Sequence, residues 1–189
     1  MTAALIPPAA ETFASVVEGI DDDQLHAPTP CPDFDVAGLV GHLLHYGPSL
    51  VGAGARQPAP PPGEEQPVDP ATWRGELLDQ TGRLAAAWSR PEAWEGTTRM
   101  VGPDEMPASM IGGIAFAELV IHGWDLARAT GQRPTWPDAV LDQAHQQMVG
   151  MAEMGRQMGA FGPEVAVPDD APTLDRLLGL AGRDPAWPA

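Results

Sequence analysis

Glu118 and His122 stand four residues apart in the segment AFAELVIHGWDLARATG. On a helix that spacing puts both side chains on one side, about 5–6 Å apart at Cβ. A carboxylate and an imidazole so placed can close on one divalent ion. Their surroundings make the placement expensive. Ile111, Ile114, Phe116, Leu119, Val120, Ile121, Trp124 and Leu126 put apolar groups nearly all round, so the helix reads as buried. An ionised glutamate there needs a cation, a hydrogen-bond donor or a cleft. His42, in LVGHLLHYG, is a third candidate ligand on a second apolar helix. Two histidines and one glutamate suffice for a metal site of the catalytic kind, which keeps positions open for water or substrate. Spacing alone leaves two plainer readings open, a Glu118–His122 ion pair and a solvent-facing edge. It does not show that the two helices touch.

The neighbouring residues add secondary candidates. Asp125 follows His122 by three positions on the same face. It suits a carboxylate that orients a ligand imidazole, and equally a surface acid paired with Arg128. His45 lies further round its helix, toward solvent, and joins Asp125 as a candidate for ligand support or proton transfer. Cys31 sits among prolines in TPCPDFD with no base beside it, so a structural cysteine is favoured over a nucleophile. No GxGxxG, phosphate-binding GK[ST] or GxSxG motif occurs, which leaves nucleotide binding and serine hydrolysis without support.

The elements that must position these groups read as helical. Leu5, Phe13, Val16, Val17 and Ile20 have loose helical spacing over 3–20, with Pro7 and Pro8 confining the helix to the residues after them. Asp35 is a good N-cap for a helix over 36–52, whose core face is Val36, Leu39, Val40, Leu43, Leu44 and Leu50. Residues 53–68 form a Pro-rich loop. Asp69 and Pro70 are expected to open a third helix striped by Trp73, Leu77, Leu84 and Trp88. Residues 90–106 are irregular, with EGTTRMV a candidate short strand. Pro107 starts the ligand-bearing helix, and Gly131 stops it after Ala129. A further helix is expected over 138–158, then a short last one over TLDRLLGLAG. Long helices joined by loops mean a bundle, and bundles build metal sites from side chains on facing helices.

The whole chain sets bounds. Its 189 residues, 43% of them hydrophobic, suit one domain with a sizeable core, expected to span 1–189. Acidic residues number 26 and basic residues 10, all of them Arg, for a formal charge of −16. Such a surface repels nucleic-acid phosphates and anionic membranes, so neither is expected as a partner. One cysteine allows no intramolecular disulfide and no Cys-based zinc site. The N-terminal residues MTAALIPPAAETF lack a charged leader and a long apolar run, and no stretch approaches 18 uninterrupted apolar residues. The cytoplasm is the expected compartment.

Three stretches carry a family resemblance: TPCPDFDVAGLVGHLLHY, ELVIHGWDLARATGQ and FGPEVAVPDDAPTLDRLLGLAGRDP. The chain resembles the DinB-like/mycothiol-dependent maleylpyruvate isomerase superfamily, and within it the small actinobacterial metal-binding proteins. That implies an all-α, up-down-down-up four-helix bundle with a short extra C-terminal helix. It also implies a metal triad of His42, Glu118 and His122. The divalent ion is expected to be zinc or nickel, with mycothiol as a possible thiol cofactor. The isomerases carry a second, C-terminal domain that this chain is expected to lack, so fold and metal are expected to transfer better than reaction. The expected function is a metal-dependent, mycothiol-using S-transferase or isomerase acting on a small electrophile, as monomer or homodimer. A thiol-independent metal hydrolase, lyase or cyclase, and a non-catalytic metal- or ligand-binding protein, are the alternatives.

Overall fold

In the computed structural model, which describes residues 2–57 and 59–188, nearly all regular structure is helical. Pro58 of the Pro-rich loop lies outside the described residues, as do the two terminal positions. A bundle is built by α1 (Ile6–Glu18), α2 (Val36–Ala55), α3 (Trp73–Trp88) and α4 (Ala108–Ala129). α3 packs on both α1 and α2, and α4 packs on the same two helices. α5 (Asp138–Gln157) and α6 (Thr173–Leu180) pack on each other, and α5 leans on α4. The all-α bundle with a short C-terminal helix is the architecture expected. α5, however, belongs to this flanking layer and leaves α1 to complete the four.

Element boundaries differ from the expected ones where local chemistry was misjudged. Pro7 and Pro8 lie inside the first turn of α1, where backbone N–H groups have no intrahelical partner to lose. Asp69 closes a turn ahead of α3 instead of capping it: Oδ1 accepts from the Ala71 N–H at 2.9 Å, and its carbonyl accepts from Thr72 and Trp73. Asp35 does cap α2, accepting from the Gly38 N–H at 2.8 Å. α2 then runs through Pro48 to Ala55, where Arg56 turns left-handed at φ 59° and ends it. The EGTTRMV segment supplies β1 (Thr97–Thr98), paired antiparallel with β2 (Met106–Pro107).

The core is continuous through the bundle. Trp73, Trp88, Phe13, Phe116 and Leu39 are among its fully buried side chains. Burying side chains of this size stabilises by about 1.5–3 kcal/mol each. Polar ties set the α2–α3 register: Gln80 donates to the Leu43 carbonyl at 2.7 Å and Trp88 Nε1 to that of Leu50 at 2.9 Å. Gly123 lets α4 come close to its neighbours, since a Cβ there would meet Trp136 at 2.9 Å and Phe13 at 3.1 Å. By length and composition α4 is apolar enough to cross a membrane, but most of it is buried inside the bundle.

α4 is not a uniform α-helix. Between Ala108–Ala117 and Gly123–Ala129 it opens into one π-helical turn, Glu118–His122. Such turns carry one residue more than the α-helical ladder wants and are frequent at functional sites. The turn here spans the two residues picked out by spacing.

Candidate metal centre

α2 and α4 bring His42, Glu118 and His122 together. One ligand atom of each lies within 4.8 Å of the other two, the only such group of three among the described residues. Glu118 Oε2 is 3.6 Å from His42 Nε2 and 3.6 Å from His122 Nε2. Those separations are long for hydrogen bonds. They match instead the spacing of ligand atoms that share an ion: with bonds near 2.0–2.1 Å, tetrahedral partners stand about 3.4 Å apart. The side chains are 24%, 22% and 12% exposed for His42, Glu118 and His122, so the cluster is sheltered yet reachable.

The supporting contacts sort the two imidazoles. His122 Nδ1 lies 2.9 Å from Asp125 Oδ2. An ionised carboxylate only accepts, so Nδ1 carries a proton and Nε2 faces Glu118, where loss of its own proton would free a lone pair for an ion. Asp125 is fully buried and is itself held by Arg183, whose Nε and Nη2 donate to it at 3.1–3.3 Å. Arg183 Nη1 donates to the Ala181 carbonyl at 3.0 Å. His42 is flanked by Phe34 and Tyr46, with ring centroids 5.3 and 5.1 Å away. The donor set, its spacing and the fixed direction of His122 Nε2 fit a divalent ion with nitrogen and oxygen ligands.

Charge follows the same geometry. Burial alone would raise the Glu118 carboxyl, but His122, then His42, with help from Arg183, outweigh it and hold Glu118 below its usual range. Burial would likewise lower His122, and Glu118 and Asp125 reverse that and hold it above its usual value. Both shifts describe an ion pair in a partly dry site that an ion would replace.

The other candidates separate. Asp125 belongs to the cluster as the support of His122, and the alternative pairing with Arg128 is not formed: Arg128 donates to the Trp187 carbonyl. His45 is half-buried, edge-on to Tyr46 at 4.7 Å, and does not line the cavity beside the triad. Cys31 is buried in the cavity wall, and burial pushes its thiol up, away from the reactive thiolate. Sequence reasoning missed Arg183. Its only signal was a lone cation in GLAGRDP, just after an apolar helix.

The triad opens onto a cavity of about 410 Å³. α5 and the residues after it wall one side, through Met151, Met154, Met158 and Phe161. The β1–β2 hairpin and the start of α4 wall another, through Met100, Met106 and Met110. Cys31, Asp33 and Phe34 from the turn before α2 complete it beside His42.

Comparison with known proteins agrees with this architecture. Two uncharacterised proteins of Mycobacterium tuberculosis, from strains CDC 1551 and H37Rv, are each 27% identical over 183 residues, which is 93% of this chain and 93% of theirs. A crystal structure of the mycothiol-dependent maleylpyruvate isomerase superposes with a TM-score of 0.59 at 16% identity, covering 88% of this chain and 75% of that one. A His-to-Ala variant of that isomerase superposes equally well at 15% identity. These identities establish the shared fold. The sequence model of the mycothiol maleylpyruvate isomerase N-terminal domain matches residues 6–127, which hold α1 to α3 and the whole triad, and the chain belongs to that family.

Proposed function

We propose that the chain is a metal-dependent enzyme that joins a low-molecular-weight thiol, mycothiol, to a small electrophile as an S-transferase or isomerase. The carrying observation is the His122 arrangement. Its Nδ1–H is committed to Asp125, so Nε2 faces Glu118 Oε2 and His42 Nε2 at the mouth of a cavity. A plain ion pair has no need of a second histidine on another helix or of a buried carboxylate behind the first.

His42, Glu118 and His122 would hold one divalent ion, zinc or nickel. The ion would supply acidification of a thiol and polarisation of a substrate carbonyl. Asp125 orients the His122 ring, and Arg183 holds Asp125 in place. The apolar walls exclude water from the reacting carbon. Addition of sulfur to an activated double bond and its later departure would isomerise the substrate, whereas retention of the sulfur would give a conjugate. The names of the family and of the superposed isomerase support the thiol.

The test is metal analysis of the purified protein followed by calorimetric titration with mycothiol. We expect about one equivalent of metal and mycothiol binding that disappears in Glu118→Ala. Full metal retention in His42→Ala, Glu118→Ala and His122→Ala would overturn the site. Metal binding without any response to millimolar thiol would turn the reading to a thiol-independent metalloenzyme.

A further inference from the structure

The cavity beside the triad has an unusual lining. Six of the chain's eight methionines face it, joined by Ile114, Ile121, Phe34 and Phe161. Methionine is flexible and polarisable, so such walls mould to varied apolar shapes. The volume, near 410 Å³, suits a small organic molecule. At the mouth, Met154 is 39% and Met158 71% exposed, two of the five large hydrophobic side chains left open to solvent among the described residues. Apolar surface therefore continues from the rim to the triad.

Positive charge is scarce. Apart from the two triad histidines, Arg183 is the only cationic residue in the lining among the described residues. All three of its nitrogens are engaged, by Asp125 and by the Ala181 carbonyl. Two other arginines near the wall in sequence are paired with carboxylates, Arg99 with Glu105 and Arg156 with Glu153 and Glu164. The lining also carries two acids, Asp33 and Glu118. A carboxylate taken from water into this cavity would find no unpaired donor cation, and the charge of −16 on the whole chain adds long-range repulsion. A divalent ion on the triad would offer one positive centre, which Glu118 and the deprotonated thiol together would balance.

We propose that the electrophile taken by this site is uncharged and largely apolar, an aryl or alkyl enone or ester, and not a dicarboxylate. The proposal rests on the thiol reading of the triad for its chemistry but on the methionine walls for its selectivity. The scarcity of cations sets the charge of the substrate, and the walls accept a range of apolar shapes.

A matched pair tests it: methyl cinnamate, uncharged, against cinnamate, its anion. Each displaces the uncharged fluorophore N-phenyl-1-naphthylamine from the full chain, once loaded with zinc and once after chelation. The ester should bind at least tenfold more tightly than the acid in both states, and maleate should not compete. Met154→Lys and Met158→Lys place a cation at the exposed rim without touching the triad or the core, and should narrow the ratio by strengthening the acid. Equal or tighter binding of the acid, no fluorophore binding at all, or a ratio unmoved by both lysine variants would overturn the proposal. The His42→Ala variant separates the two readings. It should lose metal and thiol response yet keep the ester preference. Loss of thiol chemistry with the preference intact would fault only the proposed reaction, and the reverse result would fault only the substrate class.

Discussion

The two sides of the cavity are built on opposite principles. On the α2–α4 side polar groups are set against one another: Arg183 holds Asp125, Asp125 holds His122, and Glu118 lies between two imidazoles. On the facing side, Met151, Met154, Met158 and Phe161 have no hydrogen bonds to make and several rotatable bonds each. Directional bonds give one geometry, which suits an ion with fixed ligand distances. Dispersion contacts are nearly directionless, so the opposite wall can repack around different shapes at little cost. Fixed geometry belongs to the polar cluster and tolerance to the apolar wall. Substitutions on the two sides should therefore differ greatly in effect.

The largest effect is expected from the ligands. Glu118→Ala or His122→Ala should weaken metal binding by orders of magnitude, because two remaining ligands hold an ion poorly. A competition titration against a chromophoric chelator reads this directly, and near wild-type affinity in either variant would break the contrast. Next comes Arg183→Ala. It leaves the fully buried Asp125 without its cation, and removal of one partner of a buried pair costs about 3–5 kcal/mol. Urea unfolding should show that loss as a lower midpoint. A drop under about 1 kcal/mol would mean that water replaces the guanidinium.

Asp125→Asn is a finer probe. It nearly preserves volume but no longer holds His122 Nδ1–H with a charge, so metal affinity should fall about 10–100-fold while the fold survives. The pH response of the metal-free protein comes from the two shifted groups. Glu118 is lowered, so its contribution is present above its ordinary value of 4.5 and is lost as pH falls through the lowered value. His122 is raised, so its contribution is present below 6.5 and is lost as pH rises through the raised value. Stability owed to the pair should peak between those limits in urea midpoints measured against pH. Metal affinity should instead climb with pH as His122 sheds its proton. Smallest of all, Met151→Leu on the apolar wall should change stability by less than about 1.5 kcal/mol and leave metal content untouched.

Much of the centre was legible from residue types. Glu118 and His122 were singled out because a carboxylate four residues from an imidazole is costly in an apolar helix, and that helix is buried. His42 was found as a polar residue on a second apolar stripe. Asp125 was ambiguous, since position on a helix face does not distinguish a support for His122 from a partner of Arg128. His45 has the same residue type and the same helix as His42 and stands only three positions on, yet it does not line the cavity. The methionines were legible only as apolar. Core packing and a substrate wall use the same side chains, and only the empty space beside them separates the two.

Helical periodicity, the Asp35 cap, the Gly131 stop and the polar residues set into apolar stripes are local properties, decided within a few residues of chain. They determined an all-α protein with its candidate ligands on two helices. That those helices meet, that α4 widens into a π turn at Glu118–His122, and that Arg183 reaches back to Asp125 are decided by packing. Arg183 and Asp125 are 58 positions apart, and Glu118 is further still from His42. No local pattern encodes such a pairing, because its free energy comes from burying the apolar faces of helices whose partners are chosen only in the folded bundle.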